Sequence, residues 1–107
     1  MGMYDSDMAI LCVSNHYIQQ YYFNPDFSIL PQAVQDELKV MSVLFTEEVG
    51  GILIVGYNDA GSLCLRTEAA EDDVMYDEIG AGLKIKELQE VKKELFESLE
   101  LFYQMFG

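Results

Sequence analysis

The first part of the chain alternates between runs that favour strands and residues that favour turns. Residues 8–13 are β-rich, residues 14–16 can turn, and residues 17–23 form an aromatic run. This order predicts a β-hairpin. The tripeptide Asn-Pro-Asp at 24–26 should end it, because proline has no N–H to give to a strand ladder.

The spacing of apolar residues changes to that of a helix after Pro31, a residue that suits the first helical position. The apolar positions recur at spacings of four and three residues: Val34, Leu38, Met41 and Phe45. The two glycines at 50–51 should end this helix after about four turns, because glycine readily adopts the left-handed conformation.

The clearest hairpin signal follows this helix. Residues 52–57 and 62–67 read as strands around the turn Asn-Asp-Ala-Gly at 58–61, with Gly61 where a positive φ is needed. In the second strand Leu63 and Leu65 alternate with Cys64 and Arg66. One face of that strand is therefore expected to be buried and the other partly exposed to solvent.

The pattern is helical again from residue 76 to residue 106. Six apolar side chains keep the spacing of a core-facing stripe: Leu88, Val91, Leu95, Leu99, Phe102 and Phe106. Because Gly80 and Gly82 lower the helix propensity, we expect a short turn from about Tyr76 and a break or kink before the main helix. That helix, residues 84–106, would be about 35 Å long.

The predicted order of elements is ββαββα, which gives an α+β fold in a single domain over residues 1–107, with residues 1–7 as a flexible N-terminus. We expect two layers, an antiparallel sheet of about four strands with two helices packed on one face. This arrangement buries both helical stripes together. The second of the two helices is the long C-terminal one.

Charge narrows the classes of partner. Nineteen acidic and six basic side chains give a formal net charge of -13. Binding to nucleic acid needs clustered Lys and Arg, and the first 38 residues contain neither, so we expect no nucleic-acid partner. The charge also opposes an anionic membrane surface, and the apolar runs fall far short of the roughly 20 residues that a spanning helix needs. We expect no membrane association.

Residues 67–80 carry six acidic side chains and no basic one. Asp77 and Glu78 stand at a predicted helix start, where the positive end of the helix dipole favours them. The other four are the candidate residues for binding a basic protein partner, because charge of one sign steers association: Glu68, Glu71, Asp72 and Asp73. A solvated connection and a cation site remain the alternatives.

No residue pattern predicts a catalytic group, a cofactor or a metal site. The acidic run lacks the D-x-D-x-D-G order of a calcium loop, and the only histidine, His16, lies in a predicted turn. Cys12 and Cys64 lie in apolar, strand-like segments without C-x-x-C spacing. We expect structural thiols, with a disulfide as the competing interpretation.

Three apolar side chains of the last helix lie off its main stripe: Leu101, Tyr103 and Met105. They make this helix apolar nearly all round, so it needs more cover than one chain supplies. Because homodimers are the usual way to bury such a surface, we expect self-association through these residues.

Three segments carry a family resemblance: Tyr-Tyr-Phe-Asn-Pro-Asp-Phe at 21–27, Leu-Phe-Thr-Glu-Glu-Val-Gly-Gly-Ile-Leu at 44–53 and Tyr-Asp-Glu-Ile-Gly-Ala-Gly-Leu-Lys-Ile-Lys at 76–86. Over almost its whole length the chain resembles a family of short, acidic, uncharacterised bacterial proteins, a domain of unknown function. The resemblance implies a self-contained cytoplasmic domain and carries over no catalytic or binding residue.

These observations favour a non-enzymatic, homodimeric cytoplasmic interaction or regulatory protein with its acidic run facing a basic partner. Two alternatives remain open. One is a small metal-dependent enzyme or ligand-binding protein that uses residues 68–78. The other is an acidic inhibitor that mimics nucleic acid to block a basic nucleic-acid-binding protein.

Overall fold

Four strands and three helices follow one another along residues 8–106, the part of the chain that the computed structural model describes. The strands are β1 (Ala9–Asn15), β2 (Gln20–Phe23), β3 (Ile52–Tyr57) and β4 (Leu63–Glu68). The helices are α1 (Gln32–Val49), α2 (Glu78–Val91) and α3 (Lys93–Phe106). The flexibility predicted for residues 1–7 lies outside the described residues.

The strands form one antiparallel sheet in the order β2-β1-β3-β4. The predicted α+β architecture with a four-stranded antiparallel sheet is therefore confirmed. The pairing of β1 with β3 shifts between Ile10 and Cys12, which is a β-bulge. Because a bulge inserts one extra residue, the consecutive side chains of Leu11 and Cys12 are both fully buried in the same core.

The hydrophobic core lies between the sheet and the helices. Alternate residues of β3, namely Leu53, Val55 and Tyr57, enter it from the sheet, as the period of two along a strand requires. Helix α1 covers β1, β2 and β3, and α3 covers β4. The Tyr57 hydroxyl donates a hydrogen bond of 2.9 Å to the carbonyl oxygen of Leu99 in α3. This bond ties the central sheet to the last helix.

The first hairpin turns later than the sequence predicts. Strand β1 continues to Asn15 and β2 begins only at Gln20, so the turn occupies residues 16–19 instead of 14–16. The side-chain oxygen of Asn15 accepts hydrogen bonds from the N–H groups of Tyr17 and Ile18 and so shapes the turn. Tyr17 therefore belongs to the turn and not to the second strand.

The second hairpin is close to its prediction. Gly61 has a φ of 81°, and the Asn58 side chain accepts hydrogen bonds from the N–H groups of Ala60 and Ser62. Strand β4 starts at Leu63, one residue later than predicted.

The predicted break near the glycines is wrong in position. Helix α2 begins at Glu78 and runs through Gly80 and Gly82, and the interruption lies at Lys92, between α2 and α3. The Oδ1 atom of Asp77 accepts a hydrogen bond of 3.1 Å from the N–H of Ile79. An aspartate cap contributes about 1 kcal/mol, which offsets the propensity cost of one glycine. The C-terminal region thus contains two α-helices, and the described part of the chain has three α-helices and the short 3-10 helix Pro25–Phe27.

Helix α2 packs against both α1 and α3. Its contact side carries Ala81, Ile85 and Leu88, and the opposite side exposes Ile79 and Leu83. None of the helices within residues 8–106 combines the length and the apolar character needed to cross a bilayer.

Candidate functional site

The segment between β4 and α2 lines an acidic concavity on the described surface. It forms a cavity of about 950 Å³ that we call the acidic cavity. Its lining contains no basic side chain, and it includes five carboxylates: Glu68, Glu71, Asp73, Asp77 and Glu78. The strand end, the loop and the helix start therefore place acidic residues around one concave region.

The loop is held in place by Tyr17, from the turn of the first hairpin. The Tyr17 hydroxyl donates a hydrogen bond of 2.6 Å to Oδ2 of Asp73 and accepts one of 3.0 Å from the N–H of Ala70. The bond to the Asp73 carboxylate raises the pKa of Tyr17, because ionised tyrosine has no proton to donate. This residue links two segments that lie more than fifty positions apart.

A close approach at Gly51 fixes the other side of the loop. Gly51 has a φ of 71°, and a Cβ atom there would lie 2.7 Å from both the Glu68 carbonyl oxygen and the Cε1 atom of Tyr76. The ring of Tyr76 therefore packs directly on the Gly51 backbone. The Tyr76 hydroxyl is buried and has no hydrogen-bond partner within the described part of the chain.

Three of the four predicted partner-binding residues line the acidic cavity. Glu68 ends strand β4, and Glu71 is an exposed side chain of the loop. Asp73 has a structural task besides, because its Oδ1 atom also accepts a hydrogen bond from the N–H of Met75. Asp72 is exposed but lies outside the lining. The structure thus brings together Glu68, Glu71 and Asp73, and it leaves Asp72 apart.

Asp77 and Glu78 are the residues that the sequence did not assign to a surface for partners. Both keep the predicted place at a helix start, Asp77 as the N-cap and Glu78 in the first turn. They also line the acidic cavity. The two roles are compatible because a capping aspartate uses one carboxylate oxygen and leaves the other free.

The carboxylates of the acidic cavity take no part in the ion pairs seen within residues 8–106. Those pairs join Lys84 to Glu48 at 3.2 Å and to Glu87 at 3.3 Å, and Lys92 to Glu37 at 3.0 Å. Lys84 and Lys92 are therefore engaged by acids of the helices. The cavity keeps a concentrated negative field, which salt screens over about 8 Å at physiological ionic strength.

Apolar side chains stand exposed beside the acidic cavity. Val74 is 89% exposed, Met75 87% and Ile79 78%, and we call these three residues the apolar rim. Val74 and Met75 belong to the same loop as Asp73, and Ile79 lines the cavity itself. A surface with such neighbours offers a partner both charge and apolar contact.

The acids of the cavity do not form a metal centre by their placement. Among residues 8–106, no group of three or more His, Cys, Asp or Glu side chains is arranged to hold a metal ion. His16 is exposed in the first turn.

The two cysteines are free thiols on different strands. Cys12 pairs with Val55 across β1 and β3, and Cys64 of β4 pairs with Gly56, so one strand separates them. Two strand spacings amount to about 9.6 Å, beyond the reach of a disulfide. Burial raises the pKa of the Cys12 thiol, so this group stays protonated.

The predicted self-association residues separate into two groups. Leu101 and Met105 are exposed and lie one helical turn apart on α3. Tyr103 instead turns inward, where its ring stacks on Tyr57 with a centroid distance of 4.0 Å. The structure thus leaves Leu101 and Met105 as the exposed pair.

Comparison with known proteins identifies a family whose function is unknown. A family model matches residues 8–107, and it describes a family of unknown function (DUF6145). The match confirms the predicted resemblance to an uncharacterised domain. No curated protein and no solved structure matches the sequence significantly.

Proposed function

Because the chain belongs to DUF6145, a family of unknown function, we propose its role from the acidic cavity: a non-enzymatic interaction protein that binds a basic, partly apolar segment of a partner protein. One observation carries this proposal. Five carboxylates and no basic side chain line one concavity of about 950 Å³. Opposite charge both steers a basic segment to such a surface and fixes its register there.

The apolar rim sets the chemistry of the partner more narrowly. Val74, Met75 and Ile79 expose apolar surface immediately beside the carboxylates. A partner segment with lysine or arginine next to leucine or a similar side chain would cover both features at once. Such a segment gains from apolar burial as well as from charge.

A synthetic peptide tests the proposal. The probe alternates pairs of lysine and leucine and carries a fluorophore, and its binding to the full chain is followed by fluorescence anisotropy at physiological salt. The double variant Glu71→Lys/Glu78→Lys should weaken binding by about tenfold or more, since it removes two carboxylates and adds two like charges. A matching rise in affinity for an acidic probe is expected.

The control variant is Glu90→Lys/Glu97→Lys, which changes two exposed acids of α2 and α3 outside the acidic cavity. Each Glu→Lys change adds two units of charge, so both double variants shift the formal net charge from -13 to -9. Equal losses in the two variants would mean that net charge alone binds the peptide. That result, or no binding of the wild-type chain, would refute the proposed site.

We also propose that the protein forms a homodimer through α3. Leu101 and Met105 support this proposal, because both are exposed apolar side chains on one side of the helix. A second copy of the same surface would bury them by two-fold symmetry.

A basic nucleic-acid-binding protein is one class of partner whose charge is complementary to that of the acidic cavity. If the chain acts as an inhibitor of such a protein, added nucleic acid should compete with it for the partner, and high salt should abolish the complex. We further propose that the protein acts in the cytoplasm of bacterial cells, as expected from the resemblance of residues 21–27, 44–53 and 76–86 to short bacterial proteins.

A further inference from the structure

A second cleft lies between the turn of the first hairpin and helix α1, and we call it the hairpin–helix cleft. It has a volume of about 410 Å³ and shares no lining residue with the acidic cavity. Pockets that hold small molecules have volumes of about 300–1,000 Å³. The cleft is therefore large enough for a small ligand of its own.

The charge of this cleft is balanced, unlike that of the rest of the chain. Helix α1 contributes Lys39, Val43, Thr46 and Glu47, which the helical period places on one face. Lys39 and Glu47 supply one positive and one negative charge, in a chain whose formal net charge is -13. Neither takes part in the ion pairs found within residues 8–106. Each charge is thus available to a ligand.

Two buried hydroxyls, Ser14 from strand β1 and Thr46 from helix α1, supply hydrogen-bond acceptors to the cleft. The hydroxyl oxygens of Ser14 and Thr46 lie 2.8 Å apart. Thr46 Oγ1 also lies 3.3 Å from the carbonyl oxygen of Ser42 and 3.2 Å from that of Val43 in the preceding turn of α1. When the Thr46 proton points to either carbonyl, Ser14 donates to Thr46, and the Ser14 oxygen can then only accept. In that arrangement Ser14 suits an ammonium group.

The donor side of the cleft is built around Lys39. Its Nζ atom lies 6.0 Å from the centre of the Tyr21 ring, a second lining residue. The Tyr21 hydroxyl itself is buried beside Cys12 and makes no hydrogen bond of acceptable geometry with a described residue. The one ammonium group of the cleft thus lies over the Tyr21 ring, and this contact helps to position it.

The turn at the mouth of the cleft adopts a costly conformation. Gln19 has a φ of 55° and is the single non-glycine residue with a positive φ between residues 8 and 106. Its side-chain amide donates a hydrogen bond of 2.8 Å to the carbonyl oxygen of His16, which also lines the cleft. Left-handed backbone costs about 1–2 kcal/mol, and such strain concentrates at binding sites.

The spacing of the two charges gives the size of the ligand. Lys39 and Glu47 are eight residues apart, about 12 Å along the helix axis. A molecule with a carboxylate and an ammonium group on one carbon, hydrogen-bonded at both ends, spans about 8–9 Å between the protein charges. The side chains of Lys39 and Glu47 are long enough for their charged ends to come closer together than their positions along the helix axis. We infer that the hairpin–helix cleft binds a small zwitterion of the amino-acid class, with its carboxylate on Lys39 and its ammonium on Glu47.

Free amino acids test this inference on the full chain. The standard α-amino acids are added one at a time at millimolar concentration, and binding is measured by thermal shift and by calorimetry. At least one should raise Tm and release or absorb heat. Its decarboxylated amine and its deaminated acid should each bind about tenfold more weakly or worse, since each lacks one charge-assisted hydrogen bond.

Two variants locate the binding. Lys39→Gln and Glu47→Gln should each weaken the binding of that amino acid by about tenfold, and the exposed controls Lys86→Gln and Glu97→Gln should leave it unchanged. The backbone amide signal of Val43, between the two charges, should shift on titration of the wild-type chain. If no amino acid binds, or if the deaminated acid binds equally well and Glu47→Gln has no effect, the inference is overturned.

Discussion

The ring of Tyr103 lies 4.0 Å from the ring of Tyr57, centroid to centroid, and the two planes are only 10° apart. Tyr57 is completely buried in the central strand β3, and Tyr103 belongs to the last helix. The ring of Phe27 completes the cluster at 5.8 Å from Tyr57. Tyr103 is therefore part of the intramolecular packing between α3 and the sheet.

Removal of this ring should destabilise the monomer. Tyr103→Ala should lower the free energy of unfolding by about 2–3 kcal/mol, since it deletes a half-buried aromatic side chain and its stacking contact with Tyr57. Tyr103→Phe keeps the ring and should cost less than about 1 kcal/mol. Urea unfolding followed by circular dichroism measures both. Similar losses for the two variants would show that the hydroxyl, and not ring stacking, is what matters.

The dimer contact is tested best by the two exposed residues of α3. Leu101→Glu/Met105→Glu should convert the protein to a monomer, because each charge would be buried at the contact. Sedimentation equilibrium at several concentrations gives the mass. The matched control is Val40→Glu/Leu44→Glu, which changes exposed apolar residues one turn apart on α1. A wild-type mass equal to the monomer at every concentration would rule out the homodimer.

The two glycines of α2 should respond differently to alanine. At Gly82 no atom lies within 4 Å of an added Cβ, so Gly82→Ala should raise the stability by about 0.5–1 kcal/mol through helix propensity. At Gly80 the Cβ would lie 2.6 Å from Oδ2 of the capping residue Asp77. Gly80→Ala disturbs that cap and should be less stable than Gly82→Ala by about 1 kcal/mol.

Thermal or urea unfolding distinguishes these outcomes. An equal gain from both alanines would mean that Asp77 moves aside freely and that its cap contributes little.

Stability should fall steeply at alkaline pH. Burial raises the pKa of Tyr57, and that of Tyr21, well above the ordinary 10.0. Above pH 10 the unfolded chain releases protons that the folded chain retains, so each of these groups lowers the free energy of unfolding by up to about 1.4 kcal/mol per pH unit. The stabilisation is complete below pH 10 and is lost as the pH rises towards the folded pKa.

Tyr57→Phe should reduce that slope. The variant loses its hydrogen bond to Leu99, which lowers the stability by a constant amount of about 1 kcal/mol below the ordinary tyrosine pKa. Its further loss between about pH 10 and pH 11 should be smaller than that of the wild type by about 1 kcal/mol. Parallel curves for the two proteins would contradict the raised pKa of Tyr57.

Local signals account for what the sequence predicted well. Gly61 and Asn58 specify the second hairpin within a few residues, and the apolar spacing of α1 depends only on its own period. These signals give the two hairpins, whereas the pairing of β1 with β3 that joins them connects strands that are not neighbours in sequence. The break predicted at Gly80 and Gly82 is wrong because helix propensity is a weak preference: the cap at Asp77 offsets the cost of one glycine, and packing of α2 on α1 and α3 supports the helix further.

The acidic cavity could be predicted only in part. Its charge can be predicted from the sequence. The conformation of its loop, however, depends on the hydrogen bond between Tyr17 and Asp73, two residues whose contact no spacing rule predicts. The packing of the Tyr103 side chain against the sheet could not be predicted for the same reason, since its partner Tyr57 lies on another element. Long-range contacts of single side chains leave no periodic trace.

Gly51 has a consequence for reading other members of the family. A side chain at this position would collide with the Glu68 carbonyl and the Tyr76 ring, so the acidic loop could not keep its present path. The residue at position 51 therefore indicates, from sequence alone, whether a homologue can form this loop geometry. Homologues with glycine there are able to form this loop geometry, and those with a larger residue must arrange their acidic segment differently.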